Sequence, residues 1–208
     1  MGTLSPTLGT NVPNNKERIL EVNDVAVIGF QNRIAVTLTN LTMQNGFSPT
    51  GSGNFLEGGA IYFDGSDSDN TNIGLLTLTN VKLSGNTSAG QGGGVWAGFG
   101  SLTINSSSIV RTNIATNQST GGVAWTGGNT VETQALNIAN STIGGAAVAD
   151  GNQATDPTFG APGGVDARGG LSVTISNSTI QNNIANVTAG TIDHHLDHCE
   201  RHRQSGRQ

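Results

Sequence analysis

One five-residue segment recurs along this chain with little change. It reads Val36-Thr37-Leu38-Thr39-Asn40, Leu76-Thr77-Leu78-Thr79-Asn80, Leu102-Thr103-Ile104-Asn105-Ser106, Leu136-Asn137-Ile138-Ala139-Asn140 and Val173-Thr174-Ile175-Ser176-Asn177. Apolar and polar residues alternate in each, the period of two that marks a strand buried on one face. An apolar residue then follows the fifth position at an offset of three: Met43, Leu83, Ile109, Ile143 and Ile180. Random loops would not keep that register, so a second short strand is predicted after a fixed bend.

Between these lies a second segment type: Gly59-Ala60-Ile61-Tyr62-Phe63, Gly93-Gly94-Val95-Trp96-Ala97, Gly121-Gly122-Val123-Ala124-Trp125 and Gly163-Gly164-Val165-Asp166-Ala167. This register puts Ile61, Val95, Val123 and Val165 on one face, with Phe63, Ala97, Trp125 and Ala167. Aligning Tyr62, Trp96 and Trp125 instead would turn Val123 outward. The outward positions are therefore Tyr62 and Asp64, Trp96 and Gly98, Ala124 and Thr126, Asp166 and Arg168.

The anchors at 40, 80, 106, 140 and 177 are separated by 40, 26, 34 and 37 residues. Constant strand motifs with unequal spacing are what a solenoid with variable loops produces, each turn burying its apolar face only against its neighbours. The predicted fold is all-β, a right-handed parallel β-helix of five to six coils over residues 19–190. Ile19-Leu20-Glu21-Val22 and Val25-Ala26-Val27-Ile28 form a less regular first turn, residues 1–18 an irregular N-terminal segment, and residues 191–208 a non-repeat, disordered tail. Asn40, Asn80, Asn140 and Asn177, with Ser106 in the same register, sit where one strand bends into the next. Asparagine tolerates the left-handed backbone such a bend needs, and its amide can bond to the next in the stack, which predicts an internal asparagine ladder.

These residues resemble the repeats of bacterial right-handed parallel β-helix proteins, including polymorphic outer-membrane proteins and autotransporter passengers, which pair a Gly-Gly-Ala-aliphatic motif with Phe-x-x-Asn. Gly58-Gly59-Ala60-Ile61 matches the first and Gly92-Gly93-Gly94-Val95 nearly does. Leu83-Ser84-Gly85-Asn86 and Ile180-Gln181-Asn182-Asn183 look like the second with an aliphatic residue for Phe. Met43 to Asn45 is one residue short, and Ile109 to Asn113 one long. The resemblance implies a secreted or cell-surface protein acting as an adhesin, a structural surface protein or a carbohydrate-active enzyme.

Composition narrows the chemistry. Thirty-one glycines and 4% aromatic residues are poor material for a conventional globular core. A net charge of −5 argues against nucleic acid, whose phosphates call for Lys and Arg. There is no apolar run long enough for a membrane-spanning helix, no signal-peptide pattern in Met1 to Lys16, and a single Cys, so no disulfide framework. All four His and the Cys follow residue 190. The repeats therefore hold no Ser–His or Cys–His nucleophile and no His-ligated metal. His194, His198 and His202, near Cys199, would share a helix face and could hold Zn²⁺, but an unstructured or out-of-frame end accounts for them as well.

Tyr62 and Trp96, on consecutive coils, predict an exposed aromatic strip on which sugar rings could stack. Asp64, Asp166 and Arg168 complete the candidate ligand-binding face. As glycosidase carboxylates Asp64 and Asp166 are too far apart, three rungs or about 14 Å. Asp166 beside Arg168 could serve a lyase or simply pair. No cofactor is expected; Asp64, Asp67 and Asp69, bunched in one loop, are weak Ca²⁺ ligands. Thr37/Thr39 and Thr77/Thr79 begin an outward Thr ladder, a pattern that can order ice-like water, but it decays along the chain. Seven Asn-x-Ser/Thr sequons, among them Asn40, Asn140 and Asn177, follow from the turn motif itself. The functional expectation is a non-catalytic extracellular or cell-surface scaffold whose partners are glycans or host-surface molecules, with a fragment of a polysaccharide lyase or glycoside hydrolase as the alternative.

Overall fold

The computed structural model describes residues 18–23, 34–48, 56–65, 73–117, 120–127, 133–156, 161–169 and 172–186. The segment 25–28, Asp67, Asp69 and the His-rich end therefore lie outside the described residues, as do positions 1–17 and 187–208. The described chain winds into a parallel β-helix of five coils, each contributing one strand to each of four parallel sheets of five strands. Sheet A stacks Leu20–Asn23, Ile61–Asp64, Val95–Gly98, Val123–Thr126 and Val165–Arg168. Sheet B stacks Ala35–Thr39, Gly74–Thr79, Gly100–Asn105, Ala135–Ala139 and Ser172–Ser176, the Thr-rich repeats. Sheet C stacks Thr42–Gln44, Lys82–Ser84, Ile109–Arg111, Thr142–Gly144 and Thr179–Gln181.

Sheet D, which the repeats did not announce, stacks Phe47–Ser48, Thr87–Ser88, Ile114–Ala115, Gln153–Ala154 and Ile184–Ala185. Its strands are two residues long, too short for alternation to be visible, and their inward residue is small: Ser48, Ser88, Ala115 and Ala154 are buried. The small side chains match the recurring glycines, because the start of each coil runs against its own end. A Cβ on Gly59 would lie 2.7 Å from the Thr87 backbone, on Gly93 2.6 Å from Ile114, and on Gly121 or Gly163 2.4 Å from Gln153 or Ile184. Any side chain there would push the first sheet off the fourth.

Register along sheet A is the one predicted: Ile61, Val95, Val123 and Val165 pair in one row, Phe63, Ala97, Trp125 and Ala167 in the next. Large and small residues alternate up the second row. Phe63 and Trp125 are fully buried, and the Trp125 Nε1–H donates to the Gly100 carbonyl at 2.8 Å, which satisfies its polar atom inside the core. Leu76, Leu102 and Leu136, with Leu78, Ile104 and Ile138, form the sheet B columns at no more than 1% exposure. These columns are one continuous core, as stacked coils require.

One register expectation is corrected. Sheet C aligns Met43, Leu83, Val110, Ile143 and Ile180, so Val110 points inward and Ile109 pairs with Lys82 and Thr142. The offset of three fails in the third coil because Ser107 is an added residue in the bend. Ser106 and Ser107 both take left-handed φ, 55° and 67°. Counting from Val110 removes the apparent extra residue, and Val110-Arg111-Thr112-Asn113 fits the aliphatic-x-x-Asn spacing. In the first coil the ladder position falls on Gly46, after Asn45 at φ 60°.

Candidate functional site

Two asparagine columns run up the helix, and they differ in kind. The predicted one, at the bend from sheet B to sheet C, has the expected left-handed backbone: φ is 56° at Asn40, 51° at Asn80, 49° at Asn140 and 48° at Asn177. It is not internal. All four side chains are exposed, and among the described residues one amide bond joins them, Asn80 Nδ2 donating to Asn40 Oδ1 at 2.8 Å. The correction has a steric cause: a left-handed residue at a convex corner points its side chain outward, and Ser106 breaks the series between Asn80 and Asn140.

The internal ladder lies one corner on, between sheets C and D. Asn86, Asn113 and Asn152 are wholly buried, with Asn183 above them in the last coil. Each Nδ2 donates to the next Oδ1 at 2.9 Å, and each backbone N–H donates to the same oxygen at 3.0–3.1 Å. The second amide proton goes to a carbonyl in the coil below: Met43, Leu83, Val110 and Ile143 receive it in turn. Gly46 N–H closes the lower end on Asn86 Oδ1 at 2.8 Å. The Leu83/Asn86 and Ile180/Asn183 spacings were the visible signal. Coil four hides it, because Gly144 through Gly151, including the turn Val148–Asp150, is inserted between Ile143 and Asn152.

The aromatic strip on sheet A is also corrected. Tyr62 and Trp96 do occupy one outward row with Ala124 and Asp166, but they are 4% and 9% exposed and form a second apolar cluster with Ala124. Their rings stack with centroids 4.7 Å apart and planes 14° from parallel. The Arg18 guanidinium lies 4.9 Å over the Tyr62 ring and bonds to the Glu57 and Gly58 carbonyls and to Glu21. Trp96 lies flat because its neighbour in the strand is Gly98, where a Cβ would stand 2.2 Å from the indole. The π surface that a sugar would stack on is already used. Burial, with a smaller contribution from the charge of Asp64, holds the Tyr62 hydroxyl protonated well above the ordinary phenol range. Burial likewise lowers the Arg18 pKa, opposed by Glu21.

Asp166 sits above Ala124 and is 9% exposed; its Oδ2 lies 2.6 Å from Arg168 Nη2, an ion-pair distance without hydrogen-bond geometry. Asp64 belongs to the other outward row, with Gly98, Thr126 and Arg168. Asp64 and Asp166 are thus three rungs and one row apart, beyond the roughly 5–10 Å that paired glycosidase carboxylates need. Among the described residues no group of three or more His, Cys, Asp or Glu could hold a metal ion, and no helix is long and apolar enough to cross a membrane. Neither protein-family models, nor curated proteins, nor solved structures match this chain.

The outer face of sheet B and the bend beside it are accessible. Thr37, Thr77, Thr103, Asn137 and Thr174 stand in one row. Thr39, Thr79 and Asn105 begin the next, and Ala139 and Ser176 end it. These residues are half-buried to exposed and none carries a charge. At the bend, a groove of about 330 Å³ runs across the first three coils, with Val81 in its floor and Asn40, Asn80, Lys82 and Ser107 along its walls.

Proposed function

We propose that this chain is a non-catalytic β-helix scaffold of an extracellular or cell-surface protein, adhesin- or passenger-like, that contacts glycans through the polar outer face of sheet B. The observation that carries this reading is the pair of uncharged hydroxyl and amide rows held at a rung spacing of about 4.8 Å on a parallel sheet. Such rows offer many donors and acceptors in fixed geometry, which suits a polyhydroxylated polymer and supplies no acid, base or nucleophile. The lyase or hydrolase reading draws on Asp166 and Arg168, which neutralise each other, and the other carboxylates of their two rows, Glu21 and Asp64, stand three or more rungs away. The likeness to autotransporter passengers supports a surface location.

A glycan array probed with the intact chain tests the proposal. Specific binding that is lost when Thr77→Lys and Thr103→Lys place bulky charges in the sheet B row is the expected result. Absence of any bound glycan, or cleavage of a polysaccharide by the wild-type chain, would overturn it.

A further inference from the structure

The added residue in the third coil has a chemical consequence beyond register. In every other coil the bend from sheet B to sheet C has one left-handed residue. Ser106 and Ser107 both take left-handed φ, and the wider loop is tied back by the Ser107 N–H donating to the Asn140 carbonyl at 2.7 Å. Ser107 thereby forms a wall of the groove that Asn40, Asn80 and Lys82 line below it. Lys82 stands on the outward row of sheet C between Thr42 and Ile109. It makes no ion pair among the described residues, whereas the nearby Arg111 lies 3.8 Å from Asp150. The Asn80 Nδ2 bond to Asn40 Oδ1 orients both amides, leaving Asn80 Oδ1 as an acceptor and Asn40 Nδ2 as a donor.

We infer that this groove binds a carboxylated sugar, a uronic acid residue within an acidic glycan. The inference rests on the glycan-binding reading above and deepens it by naming the ligand class and the subsite. The Lys82 ammonium meets the carboxylate as a charge-assisted contact. The Asn40 and Asn80 amides and the Thr42 and Ser107 hydroxyls face the ring hydroxyls, and the groove volume is at the small end of ligand pockets, as suits one or two sugar rings. On a chain of net charge −5, a lone amine among neutral hydrogen-bonding groups is a selective feature rather than part of a general basic surface. The fourth and fifth coils carry Thr142 and Thr179 where Lys82 stands, so the site is confined to the first three.

The test titrates the intact chain, followed by amide NMR shifts, with a galacturonic acid trisaccharide and with its methyl-esterified form, which keeps the shape and removes the charge. The acid form is expected to shift the signals at Asn40, Asn80, Lys82 and Ser107. Esterification and Lys82→Gln are each expected to weaken binding about tenfold or more, as loss of a hydrogen bond to a charged group does. Deleting Ser107 should abolish the shifts while the remaining spectrum stays folded. Equal binding of acid and ester, unaltered binding by Lys82→Gln, or shifts located elsewhere would overturn the inference. If the glycan array still shows ligands that Lys82→Gln leaves untouched, only this subsite falls; if the array shows none, the scaffold's glycan-binding role falls with it.

Discussion

The two asparagine columns use the same residue at adjacent corners of the same coil, for opposite ends. The outer column, Asn40, Asn80, Asn140 and Asn177, is chosen for its backbone: left-handed φ at each position, an exposed side chain, and a single amide bond. The inner column, Asn86, Asn113, Asn152 and Asn183, is chosen for its side chain, which satisfies the buried N–H and C=O groups that the corner leaves without strand partners. A residue type alone does not say which of these duties it performs. Burial does.

Substitution separates the two duties, and the largest effect belongs to the inner column. Asn113→Ala would take the acceptor from two donors on Asn86 and the side-chain donor from the Leu83 carbonyl inside the core, while the backbone N–H of residue 113 still donates to Asn152 Oδ1. At about 1–3 kcal/mol for each unsatisfied buried group, and with incomplete additivity, a loss of about 4 kcal/mol or more is expected by urea unfolding. A loss below about 1 kcal/mol would mean that the ladder is not continuous.

The interior columns make the same contrast between the closed middle of the solenoid and its last coil. Leu102 and Val173 occupy the same row, yet Leu102 is 0% and Val173 50% exposed. Leu102→Ala is expected to cost about 2–5 kcal/mol, and Val173→Ala less than about 1 kcal/mol, because the latter removes little buried surface and leaves no cavity. Equal costs would show that the fifth coil is covered in solution.

On the outer column the backbone is what can be tested. Asn140→Val forces a β-branched residue into left-handed φ and should cost about 1–2 kcal/mol, whereas Asn140→Gly should change stability by only a few tenths of a kcal/mol. If Asn140→Gly proved as damaging as Asn113→Ala, the outer asparagines would be side-chain ladders after all.

The smallest effect is one of pH. Tyr62 has a folded pKa raised above its ordinary value of 10.0, so its neutral form is favoured in the folded chain. That contribution is fully present below pH 10 and is lost as pH rises above it, since the unfolded tyrosine then releases a proton that the folded one keeps. The unfolding midpoint should decline above about pH 10 in the wild type and decline less in Tyr62→Phe.

Much of the coil was legible because strands with one buried face write their period into the chain. The Thr-rich strands of sheet B and the Gly-Gly strands of sheet A could be placed, and even their register, from the alternation of Leu76-Thr77-Leu78-Thr79 and from Ile61, Val95 and Val123. Sheet D was not legible, since two residues cannot display a period. The inner ladder was half legible: Leu83-x-x-Asn86 showed it, while the inserted turn at Val148–Asp150 and the added Ser107 concealed its other members. The exposure of Tyr62 and Trp96 was misread, because outward on a strand is not the same as open to solvent.

The amino-acid order by itself determined that successive coils must stack, because no single turn carries enough apolar surface to fold alone, and it determined where the chain bends, because asparagine and glycine accept left-handed φ at low cost. Tertiary structure alone decided which outward residues meet water. Arg18, brought from the first coil, and Gly98, beside Trp96, together laid the aromatic rings flat and closed them off. Around Lys82, the added Ser107 of the third bend instead lines a groove with residues of the first two coils. Exposure depends on what the neighbouring coils place above a residue, and that is set by contacts between residues far apart in the chain.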